Sequence, residues 1–419
     1  MKLYETLKKA KEAKNILSQL PHTIRQNFLR DCARNLENKT LKILEANQKD
    51  LKNAKQYNLN SAMLERLMLN EKRIVDMANS LREIADFPDP LNRILSGFCN
   101  ASGLEIQKVS VPLGLIAIIY ESRPNVTSDT AGLCFKSGNV CILKGGKEAQ
   151  NSNEAIVEIF SQVLQTYSLP QEAIVLLPSM KNREELKELL EAKEYVDLLI
   201  PRGGEGLISF VSQYAKVPII KHDKGVCHIF AHHSCKIEQS IEVIINAKTS
   251  RPSTCNACET LLIDSSFAEE FLPKVAQALK QKDTILKGCK KACEILSQNN
   301  IECQLIPLES YHIEYNENIL NLRIVQDLQE AIQHIQTFGS GHSEAILCED
   351  YSIAEEFLNK IDSACVYVNA STRFSDGGEF GYGAEVGIST SKLHARGPMG
   401  VDSLTSYKYK IRGNGQIRK

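Results

Sequence analysis

Leu115-Ile116-Ala117-Ile118-Ile119-Tyr120 is an unbroken apolar run, entered through Gly114 and left through the polar stretch Glu121-Ser122-Arg123-Pro124-Asn125. A short run of this kind between turn residues suits a strand buried on both faces, as parallel sheets covered by helices require. The chain then alternates. Thr127 to Lys136 reads as a helix ended near Gly138, and Val140 to Leu143 as a strand closing on Lys144-Gly145-Gly146. Helix 154–166, strand 173–177, helix 183–190, strand 196–200, helix 207–214 and strand 217–220 follow. Strand and helix in turn predict the α/β class with a parallel sheet, and ligands of such sheets sit beyond the carboxyl ends of the strands.

Upstream, Leu3 to about Leu91 carries a helical pattern. Ile74, Met77, Ala78, Leu81 and Ile84 share one face, and Pro88 and Pro90 stop the run. From Leu104 to Val111 apolar and polar residues alternate, which predicts a half-exposed strand before Pro112 and Gly114. Downstream, 267–279 and 289–298 read as helices, Ile324 to Ile335 as a strand followed by a helix, and Leu404 to Tyr409 alternates weakly ahead of a basic end.

At 419 residues, more than one core is expected. With 50 basic against 51 acidic residues, nothing marks a nucleic-acid surface or a membrane-binding face, so a small-molecule substrate is the expected partner. Charges interrupt the start, Met1-Lys2-Leu3-Tyr4-Glu5, where a signal peptide needs an apolar core, and no stretch is long enough to span a bilayer. A cytoplasmic location follows as an expectation. The 13 cysteines, odd in number and scattered, predict no disulfide framework there.

The ordinary dinucleotide fingerprint GxGxxG is absent. Two other strand-end loops offer glycines that let backbone approach a phosphate: Lys144-Gly145-Gly146-Lys147 and Pro201-Arg202-Gly203-Gly204-Glu205-Gly206. Either is also an ordinary turn sequence.

Thr249-Ser250-Arg251-Pro252-Ser253-Thr254-Cys255-Asn256-Ala257-Cys258 passes into the apolar Leu261-Leu262-Ile263. A polar turn meeting a buried strand holds Cys255 where packing gives way to an open loop. The stretch fits a nucleophile activated by Arg251, backbone N–H groups or a helix N-terminus, a small buried thiol, or a CxxC pair. No second CxxC and no histidines at ligand spacing accompany it, so no metal is expected.

Ser250-Arg251-Pro252-Ser253-Thr254-Cys255-Asn256-Ala257 with Glu259-Thr260-Leu261-Leu262 resembles the active-site segment of the gamma-glutamyl phosphate reductases, a branch of the aldehyde dehydrogenase superfamily. Glu121 to Thr127, Phe338 to Ile346, Val366 to Phe374, Gly381 to Val386 and Lys392 to Pro398 resemble the same branch, so the likeness covers nearly the whole chain. It implies an aldehyde dehydrogenase-like α/β fold: a Rossmann-type cofactor domain (1–102 and 115–230), an α/β catalytic domain (231–400) and a small β oligomerisation arm (103–114 and 401–419), hence a homo-oligomer. By the resemblance, Cys255 is the nucleophile that carries the acyl group as a thioester, and Asn125 donates to the oxyanion. Lys144, Gly145, Gly146, Lys147, Gly203, Gly204 and Glu314 fall at cofactor positions. Arg251 is a candidate on the substrate side, and Arg373, His394 and Arg396 are candidates to meet the substrate carboxylate or phosphate, with surface ion pairing as the alternative for each of these three.

The chain departs from hydrolytic aldehyde dehydrogenases at one place. Their Glu-Leu-Gly-Gly stretch supplies a glutamate that activates water, and here the corresponding residues are Lys221-His222-Asp223-Lys224-Gly225-Val226-Cys227-His228. Without that base a thioester is kept for hydride or phosphate. The resemblance therefore implies NADPH-dependent reduction of L-glutamyl 5-phosphate to glutamate 5-semialdehyde, a step of proline biosynthesis, with a coenzyme-A-acylating aldehyde dehydrogenase as the alternative. Lys144 or Lys147 could receive the 2′-phosphate of NADP. Because an acyl phosphate is labile, the kinase that forms it, glutamate 5-kinase, is an expected partner.

Overall fold

The computed structural model describes residues 2–54, 59, 61–179, 183–221 and 224–418. It divides into two compact units, one of Met1–Lys221, Gly377–Gly387 and Pro398–Lys419, the other of His222–Asp376 and Ile388–Gly397. Among the described residues no helix is long and apolar enough to cross a membrane.

The first unit opens with helices α1 (Lys2–Leu17), α2 (His22–Asn38), α3 (Thr40–Ala54), α4 (Ser61–Leu67) and α5 (Glu71–Asp86). Asn70 starts α5 by accepting the Arg73 N–H, and the helix ends before Phe87 and Pro88. The apolar stripe expected from Ile74 to Ile84 is buried throughout. Its seat is α2 and α6, and Gly132 of α6 leaves room for Leu81 and Ile84. Burial of such side chains contributes about 1.5–3 kcal/mol each.

Strands β1 (Ile94–Cys99) and β2 (Glu105–Pro112) form a hairpin, and Thr405–Arg412 pairs antiparallel along the other side of β2. The alternation of 104–111 foretold β2 but not β1, whose six residues are all exposed and so carry no inward-facing signal.

The parallel sheet then follows: β3 (Leu115–Tyr120), α6 (Pro124–Lys136), β4 (Val140–Lys144), α7 (Gln150–Thr166), β5 (Ile174–Leu176), α8 (Arg183–Leu190), β6 (Leu198–Arg202) and α9 (Glu205–Tyr214). The strand order is β5-β4-β3-β6, all parallel. All six residues of β3 are buried. The strand expected at 217–220 is a correction: Ile219 makes only an isolated bridge to Leu199. Pro218 has no N–H to give, although its carbonyl accepts from Leu199 at 2.9 Å.

The second unit contains β7 (Cys227–Ala231), α10 (Ile237–Thr249), β8 (Cys258–Asp264), α11 (Ala268–Lys280), β9 (Ile285–Gly288), α12 (Lys290–Gln298), β10 (Gln304–Leu305), β11 (Ile319–Val325), α13 (Leu328–Phe338), β12 (Ser343–Leu347), α14 (Tyr351–Lys360) and β13 (Cys365–Val368). Its sheet is parallel throughout, in the order β10-β9-β11-β8-β7-β12-β13. Strand β11 begins at Ile319, earlier than the expected Ile324, because Leu320 and Leu322 are buried while polar residues alternate with them.

The expected domain boundary at 230/231 moves to 221/222, since β7 is hydrogen-bonded between β8 and β12. Residues 377–387 and 398–400, expected with the catalytic domain, cluster with the first unit, where Arg202 pairs with Glu385 at 3.7 Å.

Candidate active site

In the second unit, α10 ends at Thr249 and β8 begins at Cys258, and the loop between them presents Cys255 half-buried. Two turns shape it. Thr254 donates its N–H and its hydroxyl to the Arg251 carbonyl at 3.2 and 2.8 Å, and Ala257 N–H reaches the Thr254 carbonyl at 3.0 Å.

Asn256, buried beside the nucleophile, fastens this loop to residues 372–375. Its Nδ2 donates to the Arg373 carbonyl at 3.2 Å and the Ser375 carbonyl at 2.9 Å. Its Oδ1 accepts from the Arg373 guanidinium, and its own carbonyl accepts from the Thr372 hydroxyl at 2.7 Å. Beneath the loop, the backbone of Cys255 runs against Gly225, and the Cys227 thiol donates to the Cys255 carbonyl at 3.3 Å. Cys227 also approaches His342 Nδ1 at 3.9 Å, and the chain His342, Ser343, Ser375, Tyr367 continues by contacts of 2.8, 2.5 and 2.7 Å. Cys255 thus rests on a connected polar floor that reaches back to Asn256 through Ser375. His222 and Asp223 of the stretch that replaces the hydrolytic glutamate lie outside the described residues; Lys224 to His228 contain no carboxylate.

Cys258, the other half of the CxxC, is a core residue. It lies in the apolar cluster of the second unit, its sulfur donates to the Thr260 carbonyl at 3.3 Å, and burial pushes its thiol up to about 12.

Glu314 is half-buried in the segment after the short 3-10 turn Leu308–His312. A buried pair holds that segment. Lys248 Nζ meets Glu259 Oε2 at 3.0 Å, both side chains out of solvent, and Glu259 also accepts the Tyr315 N–H. Burial pushes Glu259 up to about 7 against these contacts.

Of the substrate candidates, Arg373 spans Asn256 Oδ1 and, at 3.3 Å, the Ser250 hydroxyl, so it braces the nucleophile loop. Arg396 binds Asp362 Oδ1 and the Asp362 carbonyl, each at 2.6 Å. Lys392 joins the same carboxylate, and the two cations draw it down to about 2. This is the surface ion pairing named as the alternative for Arg396. Arg251 and His394 are exposed, and His394 takes a left-handed backbone at φ 72°.

In the first unit the ends of β3, β4 and β6 are laced together by side chains of the quoted loops and by Glu148, which no motif contained. The Glu121 carboxylate accepts Gly204 N–H at 2.9 Å, at the start of α9. Ser122 gives its N–H and hydroxyl to Glu148 Oε1 at 2.7 and 2.8 Å, with φ 34°. Lys144 is buried with its Nζ on the Gly145 carbonyl at 2.6 Å, and burial lowers its pKa. Gly146 leads into the exposed Lys147. At Gly203 a Cβ would lie 2.5 Å from Glu121 Oε2 and 2.7 Å from Leu207 Cδ2, so a side chain there would make both of these side chains shift. Glycine-lined strand ends, a buried lysine and a helix N-terminus fit the phosphates and ribose of a dinucleotide.

Asn125 is exposed in the first turn of α6, behind Pro124. Its Nδ2 donates to Asp129 Oδ2 at 3.2 Å, one helical turn on. Burial pushes the Asp129 carboxyl up to about 6, against hydrogen bonds from Asn125, Ser80 and Ser128 and the charge of Arg202.

No metal was expected, yet His232 and His233, just past β7, and Asp264, ending β8, bring ligand-type atoms within 4.8 Å of one another. Hydrogen bonds explain their arrangement. Ser234 Oγ accepts the Glu349 and Asp350 N–H groups and meets His232 Nδ1 at 2.9 Å, while Asp264 holds His233 at 3.0 Å.

The chain matches the aldehyde dehydrogenase family over residues 2–297. It is 54% identical to the gamma-glutamyl phosphate reductase of Nautilia profundicola, covering 99% of this chain and 100% of that one. The crystal structure of the Thermotoga maritima gamma-glutamyl phosphate reductase superposes with a TM-score of 0.95 at 41% identity, each chain covered in full. An engineered glycolyl-CoA reductase with bound NADP+ shares the fold, with a TM-score of 0.69 at 16% identity over 97% of this chain and 95% of that one.

Proposed function

This chain belongs to the aldehyde dehydrogenase family, and from that membership and its full-length likeness to the gamma-glutamyl phosphate reductases we propose that it reduces L-glutamyl 5-phosphate to glutamate 5-semialdehyde, with release of phosphate, in proline biosynthesis. The observation that carries this reading is the seat of Cys255. It is a half-buried thiol on a braced loop, supported by Gly225 and Cys227, and residues 224–228 bring no carboxylate that could hand water to an acyl group.

In this reading the Cys255 sulfur attacks the acyl carbon, phosphate leaves, and a thioester remains on the enzyme. The Cys255 N–H and the Asn125 amide donate to the oxygen on which negative charge gathers, and losing one such donor costs about 3–4 kcal/mol of transition-state stabilisation. The family's nicotinamide cofactor supplies the hydride that takes the acyl carbon to the aldehyde level. We assign NADPH: Lys144 or Lys147 would take its 2′-phosphate, Gly145, Gly146, Gly203 and Gly204 would take its other phosphates, and Glu314 is the candidate for the nicotinamide ribose. Arg251 and His394 remain candidates for the glutamate end of the substrate.

We further read the strands β1, β2 and Thr405–Arg412 as an oligomerisation arm. Ile94, Leu95 and Phe98 on β1 and Tyr407, Tyr409 and Ile411 on the last strand are exposed, an apolar edge that a second copy would cover. A cytoplasmic location and hand-over from glutamate 5-kinase complete the proposal.

The test is the reverse reaction, in which purified protein meets glutamate 5-semialdehyde and NADP with and without inorganic phosphate. Cofactor reduction that requires phosphate supports the assignment. Reduction without phosphate, or with coenzyme A in its place, overturns it.

A further inference from the structure

Outside the Cys255 loop the second unit brings two more thiols together. Cys293 lies one turn into α12, and Cys303 lies just before the edge strand β10 on the return from that helix. Their sulfurs are 2.8 Å apart, and both side chains are only partly buried, so a small oxidant in solvent can reach them. The intervening residues fold back tightly: Asn299 and Asn300 close the helix end, Asn300 at φ 58°, and Ile301 N–H returns to the Leu296 carbonyl at 2.9 Å. Gly288 leaves the Cys303 sulfur its room, since a Cβ there would stand 3.2 Å from it. This approach is what a disulfide needs, because the sulfurs must close by under 1 Å to reach the bonding distance of about 2.05 Å.

We propose that Cys293 and Cys303 form a reversible oxidation site, a dithiol that peroxide-class oxidants convert to a disulfide stapling α12 to the edge of the sheet. Nothing in the reduction of an acyl phosphate uses either residue. The pair combines partial exposure with a second sulfur 2.8 Å away. Cys258 is sealed in the core, and the Cys227 sulfur is engaged by the Cys255 carbonyl.

The step balances with hydrogen peroxide as oxidant. Cys293, losing its proton, attacks one peroxide oxygen; the O–O bond breaks, and the displaced hydroxide leaves as water with that proton. The sulfenic sulfur of Cys293 is then attacked by the Cys303 sulfur. An S–S bond forms, the S–O bond breaks, and hydroxide departs with the Cys303 proton as a second water. Two electrons pass from the thiol pair to peroxide. The atoms and electrons balance in the same way whichever of the two sulfurs attacks first.

The sequence offers a direct readout, because Cys293 and Cys303 fall on one tryptic peptide, Ala292 to Arg323, with no lysine or arginine between, whereas Cys289 is cleaved away at Lys290 and Lys291. Reduced full-length protein is treated with about one equivalent of hydrogen peroxide, free thiols are alkylated, and the digest is weighed. The expected result is a 292–323 peptide that escapes alkylation at both cysteines, two hydrogen masses lighter than the reduced form, and that regains both labels after dithiothreitol. In Cys293→Ser and Cys303→Ser, each conservative enough to keep the fold, the remaining cysteine of the peptide should take the alkyl label or appear as a sulfenic acid. The proposal is overturned if both cysteines stay alkylatable while other thiols of the chain are oxidised, or if Cys303 is found joined to Cys289 instead.

Discussion

Gly225 and Cys255 compete for one small volume. A Cβ added to Gly225 would lie 2.5 Å from the Cys255 Cα and 2.6 Å from its carbonyl carbon, with the carbonyl oxygen nearer still. These are backbone atoms, so no side chain can swing aside. Gly225→Ala must push the nucleophile's own main chain, and a displacement of about 1 Å at a reacting atom costs on the order of 10²-fold in rate. Turnover is expected to fall by that order while circular dichroism stays unchanged. Gly97→Ala, whose new methyl would meet only ordinary contacts at 3.5 and 3.6 Å, serves as the control and should turn over like the parent. A Gly225→Ala enzyme as fast as that control would mean the loop position does not matter to the chemistry.

Asn256 holds the loop from the other side. Asn256→Ala removes the Nδ2 donor from two carbonyls, those of Arg373 and Ser375, and the Oδ1 acceptor from the Arg373 guanidinium. With one unsatisfied buried group costing about 1–3 kcal/mol, the variant should lose on the order of 3 kcal/mol in urea unfolding. Because the damage lies behind the nucleophile, kcat should fall further than KM rises. The reverse pattern, an intact kcat with a weakened KM, would place Asn256 in substrate binding.

The first unit's parallel sheet was legible because period and punctuation speak about single strands, whereas most strands of the second sheet gave no reading. Leu115 to Tyr120 is apolar at every position, and the structure buries every position. The stripe from Ile74 to Ile84 was legible for the same reason. What the sequence concealed was pairing across distance. Asn256 stood inside the quoted motif, yet nothing local says that its amide bonds residues 373 and 375, or that the Cys227 thiol lies beneath Cys255. Glu121 and Glu148 tie the strand-end loops together, and no local pattern announced either contact. Strand β1 carried no signal because its side chains meet no core. Arg396 is the opposite case, since its bridge to Asp362 is a surface ion pair that the sequence allowed for from the start.

The contact from Asn125 to Asp129 predicts a pH dependence. Burial keeps the Asp129 carboxyl near about 6, and only its ionised form is a pure acceptor that turns the Asn125 N–H₂ group, rather than the carbonyl, to a defined side. As pH falls below about 6, Asp129 gains a proton it can donate, the amide loses its fixed orientation, and kcat should drop. Asp129→Asn cannot titrate, so that part of the profile should flatten while the maximal rate falls. The comparison is kcat measured from about pH 5 to 8 for both proteins. Superimposable profiles would remove Asp129 from the positioning of Asn125.

Lys248 and Glu259 give the last prediction, in which stability and pH are linked. Glu259 is held near about 7 in the folded chain, above its ordinary 4.5, so the folded state keeps this proton longer than the unfolded state does. Stability therefore falls as pH rises through that window, and the Lys248 ammonium at 3.0 Å limits the fall. Lys248→Met removes the limit and leaves a carboxylate to be buried alone. At about pH 8 the variant should be destabilised by about 3–5 kcal/mol, the usual cost of breaking a buried pair, and by much less near pH 5, where Glu259 is neutral. Denaturant unfolding at the two pH values measures the difference. A deficit equal at both would mean that lost packing of the lysine stem, and not the stranded charge, sets the cost. If the high-pH deficit also frees the Tyr315 N–H, the neighbouring Glu314 segment loosens, and KM for the nicotinamide cofactor should rise in step with pH in Lys248→Met while the parent stays level.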